Sequence, residues 1–196
     1  MSLFAGSPFA NRLLLRIFGF IGMVVLAAAF FDDATFGFFL FLSLYFVFFA
    51  YKKSQNKKRT EEVLKTEIKE TSKLKVMAHH KRLGFGYLGT TANYLFFVPD
   101  KKQEDAVIIN LNYLTNTGST MQATGDYVTV HDDWGSVTTK VRFSVFYCEG
   151  ATTDGTEFGY AFVTDGIARA NKMFDAVGKN SNAPQLQKVE ERRKFI

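Results

Sequence analysis

LLLRIFGFIGMVVLAAAFF, from Leu13 to Phe31, and ATFGFFLFLSLYFVFFAY, from Ala34 to Tyr51, decide how the rest of this 196-residue chain is read. Arg16 is the one charged residue inside either run, and most of the 22 Phe residues crowd into the first fifty positions. A bilayer crossing takes about 20 apolar residues and no fewer than about 17, so each run is just long enough to span. Only Asp32 and Asp33 separate the runs, and their carboxylates belong in water or headgroups rather than in hydrocarbon. The expectation is a tight two-helix transmembrane hairpin over residues 13–51, preceded by a short segment over 1–12. Ala27-Ala28-Ala29 imitates a signal-peptide cleavage site, and a hairpin dipping into one leaflet is a second alternative. An uncleaved two-span anchor is the reading taken, with Arg16 near the first interface, its stem snorkelling outward in a structural role.

Charge orients the anchor. KKSQNKKR, Lys52 to Arg59, follows the second run at once, whereas the turn between the runs carries no positive charge. Both chain ends are therefore expected on the cytoplasmic or matrix-equivalent side of a bacterial inner membrane or an organelle membrane. Lys52, Lys53, Lys57, Lys58 and Arg59 are the expected contacts with the membrane surface. The overall net charge of +5 is unevenly spread: residues 1–59 hold seven basic and two acidic side chains, while residues 83–180 hold seven basic and eleven acidic ones. An acidic domain beside a basic anchor excludes a nucleic-acid partner and points to the lipid bilayer and other membrane protein subunits. A single cysteine, Cys148, excludes an internal disulfide and a multi-cysteine zinc site; it reads as a packed structural thiol.

Residues 52–82 read as a basic juxtamembrane segment and a stalk helix. From Thr60 to Met77 the spacing of Leu64, Ile68, Thr71 and Leu74 marks one narrow stripe, through which Leu64 and Ile68 would contact a partner or the chain's own domain. Beyond His80 the period shifts from about 3.6 to 2. Leu83 to Leu88, Asn93 to Val98, Ala106 to Leu111, Tyr127 to His131, Thr138 to Tyr147 and Glu157 to Val163 read as strands. In the clearest, Val141, Phe143, Val145 and Tyr147 form the expected core face, with Phe146 as an exception on the other side. Thr164-Asp165-Gly166 then opens an amphipathic helix whose Ile167, Ala170, Met173, Phe174 and Val177 share a face, ended by Gly178. The tail over 180–196 is polar and basic.

Three stretches carry a resemblance: GYLGTTANYLFFVPD (Gly86 to Asp100), AVIINL (Ala106 to Leu111) and GIARANKMFDAVGK (Gly166 to Lys179). They resemble the second and third strands, the short strand before the bend, and the final helix of the pleckstrin-homology (PH) superfold, the GRAM and bacterial membrane-linked PH-like domains in particular. The resemblance implies a mainly-β small barrel over 83–179, closed by one C-terminal α-helix. In that family phosphoinositides are usually held by Lys and Arg clustered around the first strand-to-strand loop. Here Gly89-Thr90-Thr91-Ala92 holds no basic residue, and only Lys81 and Arg82 precede the first expected strand, so no such site is carried over.

No reading of the chemistry rises to a catalytic centre. Gly84 to Gly89 satisfies GxGxxG, but a dinucleotide site needs a helix starting inside the motif, and a strand pattern follows instead. His79 and His80 are expected as solvated hinge residues. His131 with Asp132 and Asp133 is the one cluster suited to a metal or an acid/base pair, yet His-Asp-Asp-Trp-Gly between two strand patterns spells a hairpin turn, with Trp134 a possible partner anchor at its tip. No nucleophile elbow and no phosphate-binding loop is present. The expectation is a non-enzymatic scaffold or accessory subunit without cofactor or metal. Lipid sensing or handling is the first alternative, and an enzyme built on His131, Asp132 and Asp133 the second.

Overall fold

A computed structural model describes residues 8–30, 34–132 and 135–179; for residues 27, 29–30, 34–36, 38, 41, 124–132, 135–137, 139 and 141 only the backbone enters the description. The chain divides into a helical unit, Pro8–Arg59, and a sheet-bearing unit from Thr60 onward. Each is taken by itself.

The helical unit holds α1, Pro8–Phe30, and most of α2, Ala34–Val63. Pro8 opens α1 at the position where a missing N–H costs nothing. The helices pair antiparallel. The Tyr45 hydroxyl donates to the Arg16 carbonyl at 3.1 Å, the Phe20 and Tyr45 rings meet edge to face at 5.8 Å, and the Arg16 guanidinium lies 4.9 Å above the Phe49 ring. Ser43 returns its hydroxyl to the Phe39 and Leu40 carbonyls at 2.8 Å, which satisfies it without water. Large apolar side chains, among them Leu15, Phe18, Val25, Phe46, Val47 and Phe48, face outward on both helices.

Among the described residues one segment, Pro8–Leu26, is long and apolar enough to cross a membrane; its 19 residues rise about 28 Å, close to the thickness of the hydrocarbon core. That corrects the expectation of two crossings to one established by length and apolarity. α2 is a single helix of 30 residues in which the apolar Ala34 to Tyr51 run continues without a break into twelve residues carrying seven charges.

The second unit is a seven-stranded antiparallel sheet and one helix. Its strands are β1 Leu74–His80, β2 Gly84–Thr90, β3 Tyr94–Pro99, β4 Val107–Asn110, β5 Leu114–Asp132, β6 Gly135–Ala151 and β7 Glu157–Thr164, followed by α3, Ile167–Gly178. They lie in the order β4-β3-β2-β1-β7-β6-β5. The expected small barrel is therefore corrected to an open sheet, since β4 and β5 end the order unpaired to each other. β1 matches β2 over seven residue pairs but β7 over only three, Ala78 to Thr164, His79 to Val163 and His80 to Phe162. Two four- and three-stranded lobes thus meet at the end of β1, and α3 fills the space between them. Ala170, Met173, Phe174 and Val177 of α3, the face expected, pack against Val76 and Ala78 of β1, Leu88, Leu95, Phe97, Phe146, Cys148 and Phe162. The expected capping by Thr164 or Asp165 is absent: Gly166 takes the cap position at φ 93°, and Thr164 donates its hydroxyl to the Gly166 carbonyl.

The stalk helix expected over 60–77 is shorter than its stripe. α2 gives way to a π-helical turn, Leu64–Ile68, that stops at Lys69, whose φ of 59° turns its N–H back to the Leu64 carbonyl at 2.7 Å. Leu64 and Ile68, with Val63, bury themselves against Phe96 and Val98 on the outer face of β3. Leu74, counted in the same stripe, belongs to β1 and packs in the main core, because Leu74, Val76 and Ala78 alternate with period 2. Glu70 fastens the connection: its carboxylate accepts the Ala92 and Asn93 amides at 3.1 and 3.2 Å and the Asn93 side chain at 2.6 Å. Hydrogen bonds from Thr91 and Asn93 hold that carboxyl below the usual range.

The core face of β6 is also reversed. Ser144, Phe146 and Cys148 point at the main core, and Phe146 and Cys148 are fully buried. Phe143 and Tyr147 are half-buried on the outer face. Phe146, the residue that broke the alternation, was the marker of the inside; a one-residue shift moves a whole strand's side chains to the opposite face.

Candidate functional site

β5 builds the most distinctive surface of the sheet. At 19 residues it runs for about 60 Å, far longer than an ordinary strand. β7 accompanies β6 only from Ser144 to Ala151, so beyond Gln122 and Phe143 the β5–β6 pair is a two-stranded ribbon with no third strand beside it among the described residues. The register shifts between Ala123 and Tyr127, then continues through Val130 opposite Val137 to Asp132 opposite Gly135. Such a bulge bends and twists a ribbon. β5 also ends the strand order, so no strand pairs with its outer side among the described residues. Lysine and proline, the usual guards of an exposed edge, are absent from all 19 positions.

The outer face next to this edge is concave because glycine replaces side chains there. The Tyr147 ring lies across Gly118 so closely that any β-carbon at 118 would collide with it. An open hollow of about 600 Å³ is lined by Thr120, Gln122, Tyr147, Glu149, Gly159 and Tyr160, and one of about 520 Å³ by Thr115, Asn116, Glu149, Glu157 and Phe158. They meet at Glu149 and Gly159. Asn116 donates its side-chain amide to the Glu149 carboxylate at 3.3 Å. The surface is acidic and aromatic, suited to an extended polypeptide rather than to an anion.

The residues singled out from sequence fall elsewhere. Lys52, Lys53, Lys57 and Lys58 are exposed along α2 and Arg59 is half-buried. Leu64 and Ile68 are only 5% and 6% exposed; of the two contacts expected for them, with a partner or with the chain's own domain, the structure has the second, against β3. Trp134 and Asp133 lie outside the described residues. His131 and Asp132 are backbone positions at the end of β5, opposite Ser136 and Gly135. Among the described residues no three His, Cys, Asp or Glu side chains come together as a metal site would need.

The remaining candidates have structural explanations. Gly84 to Gly89 lies in β2, where β-carbons at Gly86 and Gly89 would strike Val98 and Phe96 of β3. These glycines permit close approach between strands. His79 and His80 end β1 and are not solvated hinges. The His79 ring meets Phe85 at 4.7 Å, and His80 sits among Tyr160, Phe162 and Phe97 with its Nδ1 accepting the Leu83 amide at 3.3 Å. Burial, then the nearby Arg82, lowers its pKa. Burial also pushes the Cys148 thiol up to about 12, which removes it from nucleophilic chemistry.

Sequence reading missed β5 between Leu114 and Gly125. Its only available signal was the threonine-rich β propensity of LTNTGSTMQATG, without apolar alternation to mark a face. Comparison with known proteins finds no matching family model and no curated protein of significant sequence similarity.

Proposed function

We propose that this chain is a non-enzymatic, membrane-anchored binding protein, an accessory or scaffold subunit that holds another membrane protein through the free edge of its sheet. The observation that carries the reading is β5: 19 residues paired to β6 on one side, unguarded on the other, beside an acidic aromatic groove. Edge addition of an extended segment satisfies the open backbone groups, and alternate side chains of that segment enter the hollows. In this reading α1 and the apolar half of α2 form a two-span hairpin, supported by the outward-facing apolar side chains of both helices. Lys52 to Arg59 then keep both chain ends on the cytoplasmic or matrix-equivalent side.

The domain in this proposal is an opened variant of the PH-like fold. Support comes from GYLGTTANYLFFVPD falling on β2 and β3, from the short β4 preceding a 3₁₀ turn at Leu111–Tyr113, and from the closing helix. The test uses the full chain in mild detergent at native abundance. A co-purifying protein at fixed stoichiometry is expected. Adjacent residues of a strand turn their N–H groups to opposite sides, so of Thr129→Pro and Val130→Pro one removes a donor from the free edge and spares the hairpin. That variant should stay folded and lose the partner. A strictly monomeric wild-type species, or partner retention by both folded variants, would refute the reading.

A further inference from the structure

Arg16 is the one charged side chain on α1 between Leu13 and Phe30, and no carboxylate pairs with it among the described residues. An ionised group in an apolar helix pair is costly unless something neutralises it, and it marks a function more often than a defect. Its surroundings specify the counter-charge. The guanidinium lies 4.9 Å above the Phe49 ring, a cation–π contact that fixes its plane. Tyr45 ties the same turn of α1 to α2 by donating to the Arg16 carbonyl. One helical turn beyond Phe49, at i+3 and i+4, stand Lys52 and Lys53, both exposed. On α1, Arg12 stands one turn before Arg16, so basic side chains of both helices gather toward the same end of the pair.

An apolar slot runs from that same point. Gly19 and Met23 of α1 and Leu44, Tyr45, Phe48 and Phe49 of α2 line a hollow of about 490 Å³. Phe49 belongs both to the slot and to the Arg16 contact. Gly19 stands one turn after Arg16, and nothing lies within 4 Å of where its β-carbon would be, so the wall is left open there. A cationic mouth leading into a slot without charged groups matches an amphiphile with an anionic head and a hydrocarbon tail.

We propose that this end of the α1–α2 pair binds one anionic phospholipid of the membrane. The Arg16 guanidinium, with Lys52 and Lys53, holds the phosphate, and an acyl chain lies in the slot along Gly19, Met23, Leu44 and Phe48. The planar donor fork of arginine suits a phosphate as a lysine does not. The proposal rests on the reading that the helical unit is membrane-embedded.

The experiment places the full-length protein in nanodiscs of phosphatidylcholine with 10 to 20 parts in a hundred phosphatidylglycerol (on the order of a bacterial or organelle leaflet's anionic content). Native mass spectrometry then counts the lipids retained on release. Wild type should keep one phosphatidylglycerol in preference to phosphatidylcholine. Arg16→Gln should lower that preference by about five- to tenfold, the loss of one near-surface basic contact. Arg16→Lys should lie between the two. Gly19→Leu keeps the charge and fills the slot, so it should lower retention of the whole lipid. Arg16→Gln protein that keeps wild-type selectivity, or wild type with no selectivity, overturns the site while leaving the membrane reading intact. Failure of the wild type to enter the nanodisc overturns the membrane reading and the site with it.

Discussion

The face assignment of β6 can be decided by a pair of truncations. Phe146 is fully buried, with Ser119 and Phe162 beside it across the neighbouring strands and α3 above. Its neighbour Tyr147 is half-buried on the outer face, its ring resting on Gly118. Phe146→Ala removes a filled core volume and should cost about 3–5 kcal/mol. An aromatic side chain buries on the order of 150–250 Å² when fully enclosed, so half of that at about 25 cal/mol per Å² puts Tyr147→Ala at no more than about 2–3 kcal/mol. Both variants share one urea slope, about 1–3 kcal/mol per molar, so the first should lower the midpoint clearly further than the second. Urea unfolding of the full chain in mild detergent, followed by near-ultraviolet circular dichroism, reads both. Because a strand has period 2, the two outcomes exclude each other. A Tyr147→Ala loss equal to or larger than that of Phe146→Ala would show the strand facing the other way and would sink the core assignment.

Three further outcomes follow from single side chains. Cys148 is fully buried with its thiol pushed up to about 12, so an aromatic disulfide reagent at pH 8 should leave it unmodified in the native protein and react stoichiometrically once urea unfolds the sheet. The Thr117 hydroxyl is fully buried without a hydrogen-bond partner, opposite Cys148. Thr117→Val keeps the shape and removes that unsatisfied group, so unfolding should shift upward by up to about 1 kcal/mol, and a clear destabilisation would show a hidden partner. His80 has its pKa lowered by burial, so the unfolded chain takes up a proton first as pH falls. The stability it contributes is complete above its unfolded value of 6.5 and declines as pH drops from there toward the lowered folded value. His80→Gln should flatten the stability profile in that window, and an unchanged profile would contradict the buried neutral imidazole.

Much of the architecture was legible, and the misses share a cause. The six expected strands all exist, and α3 falls within a residue of its reading, because apolar residues recur there at the period of the element that buries them. Reading failed where one residue served two patterns. Leu74 fits the 3.6-residue stripe of Leu64 and Ile68 as well as the period-2 pattern of Val76 and Ala78, and only the left-handed Lys69 between them decides for the strand. Val141 to Tyr147 gave a clean alternation on the wrong face because Val145 is buried on the outer side while Phe146 and Cys148 hold the inner one. Half-burial on one face is what alternation detects; a strand apolar on both faces carries no such sign.

The candidate site was less visible because its substance is backbone. Motif reading looks for side chains that do chemistry, and it found histidines, carboxylates and glycines that the fold uses for packing and turns. What sets β5 apart is its place at the end of the strand order among the described residues, and that place leaves no trace in residue identity. The threonines that form it pair happily on a pleated surface and equally well read as loop. The sequence trace is the absence of lysine and proline, two of the usual guards of an exposed edge; the bulge between Ala123 and Tyr127 bends the strand only toward its far end. A chain that retains such an edge over 19 residues either aggregates or keeps the edge occupied.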